Sequence, residues 1–134
     1  MPEGFALTAA STVEVIAAYS TPQTTVLAVA ATPGWQVLGA FYMPKSAQAR
    51  IDALMMVSDA SLTCRVRLYD ATPGAVSGSR IVPGYASTQS LTTIRRFGPL
   101  VSLVGGKTYQ LQCEVTGDEG DGFFGVVPTA TISN

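Results

Sequence analysis

Short runs of β-branched and other apolar residues, separated at regular intervals by Pro and Gly, are the feature that most restricts the fold of this chain. Thr32-Pro33-Gly34, Thr72-Pro73-Gly74, Val82-Pro83-Gly84 and Gly105-Gly106 are four of these breaks. Proline presets the φ angle of a turn and glycine accepts positive φ, so each break predicts a turn. Turn signals at intervals of ~8–12 residues are typical of a β-sandwich or jelly roll.

We therefore predict an all-β fold, an antiparallel, jelly-roll-like β-sandwich of about eight to nine strands. Residues 46–56 are ambiguous, because their Ala, Gln and Leu content also suits a helical turn. We assign residues 1–11 to a flexible N-terminal arm and residues 12–134 to one sandwich domain. The predicted strands cover 12–20, 24–31, 35–43, 49–57, 62–69, 79–83, 90–97, 100–104 with 107–116, and 122–132.

Two of these strands alternate cleanly between apolar and polar residues, which predicts one face in the core and one face in solvent. The polar positions of the first strand include Arg65 and Arg67. The apolar positions are Leu62, Cys64, Val66 and Leu68 in the first strand, and Tyr109, Leu111, Cys113 and Val115 in the second.

The N-terminal third is apolar on both faces of its predicted strands. This holds for residues 26–31 and for residues 35–43, where Trp35, Val37 and Phe41 alternate with Leu38, Ala40 and Tyr42. Such strands need cover on both sides, and in a chain without predicted helices a second subunit would supply it. Long loops of the same chain are the alternative.

The charge content supports an assembly. Only 13% of the residues are charged, against about 25% in an ordinary soluble domain. Lys45 and Lys107 are the two lysines. A surface that is partly hidden in an oligomer needs fewer charges, although a Thr- and Ser-rich β-domain would have the same composition.

The composition argues against several kinds of function. Histidine, the commonest general base and metal ligand, is absent from the sequence, and two cysteines do not form a zinc site unaided. The net charge of −1 gives no broad attraction to nucleic acid. The apolar runs are far shorter than the ~20 residues of a membrane span. We expect no enzymatic activity, cofactor, metal, nucleic-acid partner or membrane partner, and, with Glu3 and no basic cluster near the start, no Sec export.

Two features allow a structural or a functional interpretation. Cys64 and Cys113 lie on apolar positions of their strands. They would be either two buried thiols or a disulfide that joins the two strands. The acidic run 117–122 suits a turn between strands or a Ca²⁺ site, and its spacing differs from that of an EF-hand loop.

The arginines and the aromatic residues likewise allow a structural or a functional interpretation. Arg65, Arg67, Arg95 and Arg96 would pair with carboxylates such as Asp70 or Glu114, or would meet an acidic partner or a phosphate. The aromatic residues would lie in the core or form a platform for a sugar ring; the candidates are Trp35, Tyr42 and Tyr85.

The second half of the chain resembles small jelly-roll virion proteins of tailed bacteriophages, namely capsid decoration (cement) proteins and fibre head modules. The similarity covers mainly residues 50–132. It lies in Arg67-Leu68-Tyr69-Asp70 with the following Pro-Gly loop, in the segment 105–112, and in the final strand that ends Ala130-Thr131-Ile132. The resemblance implies a trimeric jelly roll that binds a capsid lattice, often at a threefold site, with no catalytic residues.

The resulting expectation is a non-enzymatic virion structural protein, made in the host cytoplasm and located on the capsid surface. It would form a homo-oligomer, a trimer by the resemblance, and bind the major capsid protein or another virion protein. The alternative is a carbohydrate- or receptor-binding module of a tail fibre. We predict that the partner and subunit contacts include Phe5, Leu7, Val13, Val15, Val29, Trp35 and Tyr42.

Overall fold

The computed structural model describes residues 28–30, 34–117 and 122–133. Within them lie nine β-strands and one 3₁₀ turn, Ser77–Ser79. The predicted arm, the predicted strand 12–20 and most of the acidic run fall outside the described residues. The strands are β1 (Ala28–Ala30), β2 (Gln36–Tyr42), β3 (Ala47–Val57), β4 (Thr63–Asp70), β5 (Ile81–Thr88), β6 (Ile94–Phe97), β7 (Val101–Leu103), β8 (Thr108–Thr116) and β9 (Phe124–Ser133).

The strands form two antiparallel sheets, which confirms the predicted β-sandwich. One sheet has the order β2-β8-β4-β5. The other has the order β1-β9-β3-β6, with β7 also paired to β3. Apolar side chains of both sheets face each other and form the core, where the largest fully buried side chains include Met43, Ile51, Met55, Leu62 and Leu111.

β3, an inner strand of its sheet, alternates buried apolar residues with half-buried ones. Ala49, Ile51, Ala53, Met55 and Val57 are all buried, and the residues between them are half-buried. This period of two is typical of a strand with one face in the core. The ambiguous segment 46–56 is therefore a strand, paired with both β9 and β6.

The Pro83-Gly84 pair was predicted to end a strand over 79–83, and this prediction is wrong. Both residues lie inside β5 as a bulge: Arg67 on β4 pairs with Tyr85, whereas Leu68 pairs with Val82. Because β5 is an edge strand, a proline there interrupts no inner ladder. Gly84 has a φ of 104°, which a residue with a side chain rarely adopts.

A register shift between Val37 and Gly39 changes the predicted faces of β2. Val37 pairs with Gln112 on the outer face, whereas Phe41 pairs with the buried Tyr109. Val37 and Phe41 therefore do not share a face, contrary to the simple alternation. Val37 is also exposed in the single chain, so the described residues leave one face of this strand open, and its cover by a second subunit stays a prediction.

Candidate functional site

The outer face of the four-stranded sheet carries a continuous group of aromatic and charged side chains. The strand register places Arg67 between Gln112 on β8 and Tyr85 on β5, and places Arg65 beside Glu114 on β8. We call this group, together with Trp35 and Tyr69, the aromatic–arginine face; its members are Trp35, Arg65, Arg67, Tyr69, Tyr85, Gln112 and Glu114.

Trp35 lies over this face from one edge of the sheet towards the other. Its ring stacks on Tyr85 of β5 with a centroid distance of 5.8 Å and an interplanar angle of 16°. The guanidinium carbon of Arg67 lies 4.0 Å from the centroid of the Trp35 ring, and that of Arg65 lies 5.2 Å from it. A cation over an aromatic face is attracted by the negative potential of the ring.

This arrangement leaves the polar face of β4 and β8 drier than its alternation predicts. Arg67 is only 9% exposed and Glu114 only 8% exposed, although both occupy positions that we predicted to face solvent. Trp35 contacts Arg67, and the segment before β2 contacts Glu114. The sequence pattern identified the outward side of the sheet correctly. It did not indicate that Trp35 and the segment before β2 lie over this side.

Glu114 is a charged hydrogen-bond acceptor on the face. Its carboxylate accepts a bond from Arg65 Nη2 at 2.5 Å and one from the backbone N–H of Gly34 at 3.0 Å. Burial acts to raise the pKa of Glu114, but the bonds from Gly34 and Arg65 outweigh it and hold that pKa below its ordinary value. Glu114 is therefore ionised at neutral pH and fixes the start of β2 to the sheet.

Arg67 is held by a neutral partner. Its Nε donates to Gln112 Oε1 at 2.9 Å, and the amide of Gln112 donates in turn to Gln110 at 3.0 Å. Arg80 adds a third cation, with its guanidinium 6.0 Å from the ring of Tyr69. Arg65 and Arg67 lie near the carboxylate of Glu114, whereas Arg80 lies beside Tyr69 and donates to the backbone oxygen of Asp70. Among the described residues, this face therefore carries more positive than negative charge.

Three ion pairs link side chains across the described part of the chain. The arginine pairing expected from the sequence is confirmed for Arg65 with Glu114, and Arg95 forms an ion pair with Asp52. Asp70 pairs instead with Lys107, at 2.9 Å.

Asp70 belongs to a compact set of bonds at the end of β4, away from the aromatic–arginine face. It accepts hydrogen bonds from the backbone N–H of Thr72 and from Lys107 Nζ, each at 2.9 Å. Burial acts to raise the pKa of Asp70, but these two partners outweigh it and lower that pKa to about 2. The cluster joins the Pro-Gly loop after β4 to the start of β8 and is structural.

The predicted contact residues fall into two groups. Phe5, Leu7, Val13 and Val15 lie outside the described residues. The others lie on one side of the sandwich: Val29 in β1 pairs with Gly125, Trp35 immediately precedes β2, and Tyr42 is the last residue of β2. Tyr42 is 56% exposed, and among the described residues it does not enter the Trp35–Tyr85 stack.

The two cysteines are free thiols in the core, which confirms the first of the two interpretations. Their sulfur atoms are 3.6 Å apart, on the neighbouring strands β4 and β8. The contact with Cys64 and the burial of the site raise the pKa of the Cys113 thiol. Over residues 28–30, 34–117 and 122–133, no group of three potential metal-ligating side chains comes together. The same ranges contain no helix long and apolar enough to cross a membrane.

Comparison with solved structures supports the jelly-roll fold. The chain is similar to a protein of the T=1 particles derived from infectious bursal virus, with a TM-score of 0.57 and 9% identity over 85% of this chain and 29% of that chain. It is also similar to the T13 viral particle of the same virus, with a TM-score of 0.53 and 12% identity over 80% of this chain and 28% of that chain. This chain therefore spans less than a third of the viral chains.

A carbohydrate-binding module from Cellvibrio mixtus lichenase 5A, solved with cellotriose, matches 90% of this chain and 95% of its own, at 13% identity and a TM-score of 0.44. No protein-family model matches the sequence, and no curated protein matches it significantly. At these identities the comparisons establish an antiparallel jelly-roll sandwich of the kind seen in viral capsid proteins, and function is a separate question.

The sequence analysis did not single out three residues that contribute to this site: Gly34, Gln112 and Tyr69. The outward parity of Gln112 and Tyr69 was visible in the alternation. What was lacking was the order of the strands, because only the pairing of β4 with β8 and β5 brings these side chains beside the arginines. No local signal identifies Gly34, which contributes a backbone N–H.

Proposed function

We propose that this chain is a non-enzymatic structural protein of a virus particle, a capsid decoration (cement) protein that binds the capsid surface as a trimer and stabilises the shell. The observation that carries the proposal is the jelly-roll sandwich itself, which is similar to viral particle proteins over 85% of this chain. A protein with this role binds through surface complementarity and needs no reactive centre.

The side of the sandwich formed by β1 and β2 is the proposed contact surface. Both are terminal strands in the order of their sheets, and this side carries Val29 in β1 and the exposed side chains of Val37 and Tyr42. Residues of β2 bear no charge, so a neighbouring subunit can approach them without desolvating an ion. Residues 1–20 would extend the contact to the capsid.

Co-sedimentation tests the proposal directly. The full chain, mixed with capsids of the virus that encodes it, should pellet with them at a defined stoichiometry and raise the temperature at which they release their contents. A chain that lacks residues 1–11 should stay folded and fail to pellet. Absence of the full chain from the capsid pellet would contradict the proposal, and retained binding by the shortened chain would contradict the role of the arm.

A carbohydrate- or receptor-binding module of a tail fibre is the second candidate. The stack of Trp35 on Tyr85 favours it, because Tyr85 is 39% exposed on a polar sheet face. Aromatic rings that present an apolar surface beside hydrogen-bonding groups suit the recognition of sugars. This candidate requires saturable binding of a saccharide by the full chain, whereas decoration does not.

A further inference from the structure

We propose that the aromatic–arginine face binds an acidic saccharide, whose carboxylate meets the arginines while its pyranose ring lies against Tyr85. The inference rests on the second candidate function above and names its ligand class.

The charge on the face favours an acidic ligand over a neutral one. Arg65, Arg67 and Arg80 surround the rings, and Glu114 is the carboxylate among them. Glu114 is engaged by Arg65 and by the Gly34 N–H, and its single negative charge offsets only one of the three positive charges. A ligand carboxylate placed here would meet net positive charge on a partly dried surface, where ion pairing is stronger than in bulk water.

The arginines keep donors for a ligand. In the described part of the chain, Arg67 donates through Nε to Gln112, and Arg80 donates through Nη1 to the backbone oxygen of Asp70. Arg65 donates through Nη2 to Glu114, and its side chain is 34% exposed. A guanidinium carries several N–H donors in a planar fork that matches a carboxylate. Arg65 and Arg80 are partly exposed and therefore keep N–H groups for a ligand, whereas Arg67 is buried and contributes its charge.

The rings hold the guanidinium groups in place before a ligand arrives. Arg65 lies 5.2 Å from the centroids of both Trp35 and Tyr85, and Arg67 lies 4.0 Å from Trp35. Side chains that are already ordered lose little rotamer entropy on binding. The exposed ring of Tyr85 adds an apolar surface for the C–H groups of a sugar, which an acidic peptide would not use as fully. The geometry therefore favours a saccharide over an acidic protein.

Isothermal titration of the full chain tests this proposal with three probes: trigalacturonic acid, neutral cellotriose, and an oligoglutamate of equal charge to the first. We expect trigalacturonic acid to bind at least about tenfold more tightly than either other probe. Arg65→Gln and Tyr85→Ala should each weaken that binding about tenfold or more. The matched control is Arg95→Gln on the opposite sheet, where Arg95 also pairs with a carboxylate and lies over a ring. This control should bind like the unmodified chain.

Each other outcome has a distinct meaning. Equal affinity for trigalacturonic acid and cellotriose, lost in Tyr85→Ala, would overturn the acidic class and leave carbohydrate binding intact. Equal affinity for oligoglutamate and trigalacturonic acid would show that the face binds anions without specificity. This result would overturn the proposal of a saccharide ligand. No binding by any probe would overturn both this inference and the carbohydrate-binding candidate. Folding of the two variants is checked by near-ultraviolet circular dichroism, and either variant alone decides the role of the face.

Discussion

The ring of Trp35 stacks on the ring of Tyr85 with their centroids 5.8 Å apart, although the two residues belong to opposite edges of the four-stranded sheet. Trp35 precedes β2 at one edge, and Tyr85 lies in β5 at the other. The contact spans β8 and β4, so it fixes the start of β2 over the arginines between them. The ring of Trp35 thereby covers the guanidinium group of Arg67.

Replacement of Trp35 by alanine should lower the free energy of unfolding by about 2 kcal/mol, because the change removes the ring stack and two cation–π contacts. It should also expose Arg67 and Glu114 to solvent. Chemical denaturation monitored by circular dichroism measures the stability. Tyr42→Ala is the control, since the exposed Tyr42 should change stability by no more than about 0.5 kcal/mol. Equal effects of the two substitutions would show that Trp35 does not cover the face.

Substitution of Gly84 should be poorly tolerated, because its φ of 104° is strained for any residue with a side chain and a Cβ would lie 2.5 Å from Pro99 Cγ. We expect Gly84→Ala to lower the free energy of unfolding by about 2 kcal/mol or more. Gly78→Ala provides the comparison, since Gly78 has no atom within 4 Å of an added Cβ. Thermal unfolding compares the two variants, and a Gly84 variant as stable as the Gly78 variant would rule out the bulge described for β5.

The ionisation of Asp70 should make the free energy of unfolding depend on pH at acidic pH. The folded-state pKa of Asp70 is about 2, below its unfolded value of about 3.9. The stability that the ionised group contributes is therefore complete above about pH 4 and lost as the pH falls towards 2. In Asp70→Asn, the fall in unfolding free energy between pH 4 and pH 2 should be smaller by about 1–2 kcal/mol. Denaturation curves at both pH values measure it, and an unchanged fall would mean that Asp70 is not held by Lys107 and Thr72.

The thiol of Cys113 should be inert in the folded protein. It is fully buried beside Cys64, and its raised pKa keeps it protonated at neutral pH, whereas the thiolate is the reactive form. Reaction with a thiol-specific chromogenic disulfide at pH 8 should be slow in buffer and rapid in denaturant, with two thiols released per chain. Rapid reaction of the native protein would show that the core between β4 and β8 opens readily.

The sandwich could be predicted from the sequence because its signals are local. The alternation around Cys64 and Cys113 gave both the strands and their buried sides, and Pro-Gly pairs marked most of the turns. Pro83-Gly84 misled because the same dipeptide that makes a turn also makes a bulge in an edge strand. Which of the two forms depends on the partner strand β4, and therefore on contacts distant in sequence.

The candidate site was less accessible to sequence reasoning. Trp35, Tyr85, Arg65 and Arg67 were each recognised as candidates, but alternation says only that two residues share a face of one strand. Their assembly depends on the strand order β2-β8-β4-β5 and on the register shift after Val37. Both follow from the packing of the whole core. The covering of Arg67 by Trp35 could therefore be recognised only in the three-dimensional structure.

The proposed contact surface on the β1 and β2 side predicts an effect of substitution on assembly. Val29 lies in the edge strand β1. If subunits meet there, a carboxylate at this position would lose water without gaining a partner, which is strongly unfavourable. Val29→Asp should therefore convert the proposed oligomer to monomers or aggregates, as measured by analytical ultracentrifugation. An unchanged oligomer in this variant would place the subunit contact elsewhere on the sandwich.

The solution mass of the full chain, measured by light scattering on a sizing column, tests the account of a trimeric virion protein most directly. The account predicts a single species of about 42 kDa, three times the chain mass of 13.9 kDa. A monodisperse peak at 13.9 kDa, unchanged over a wide range of protein concentration, would contradict it.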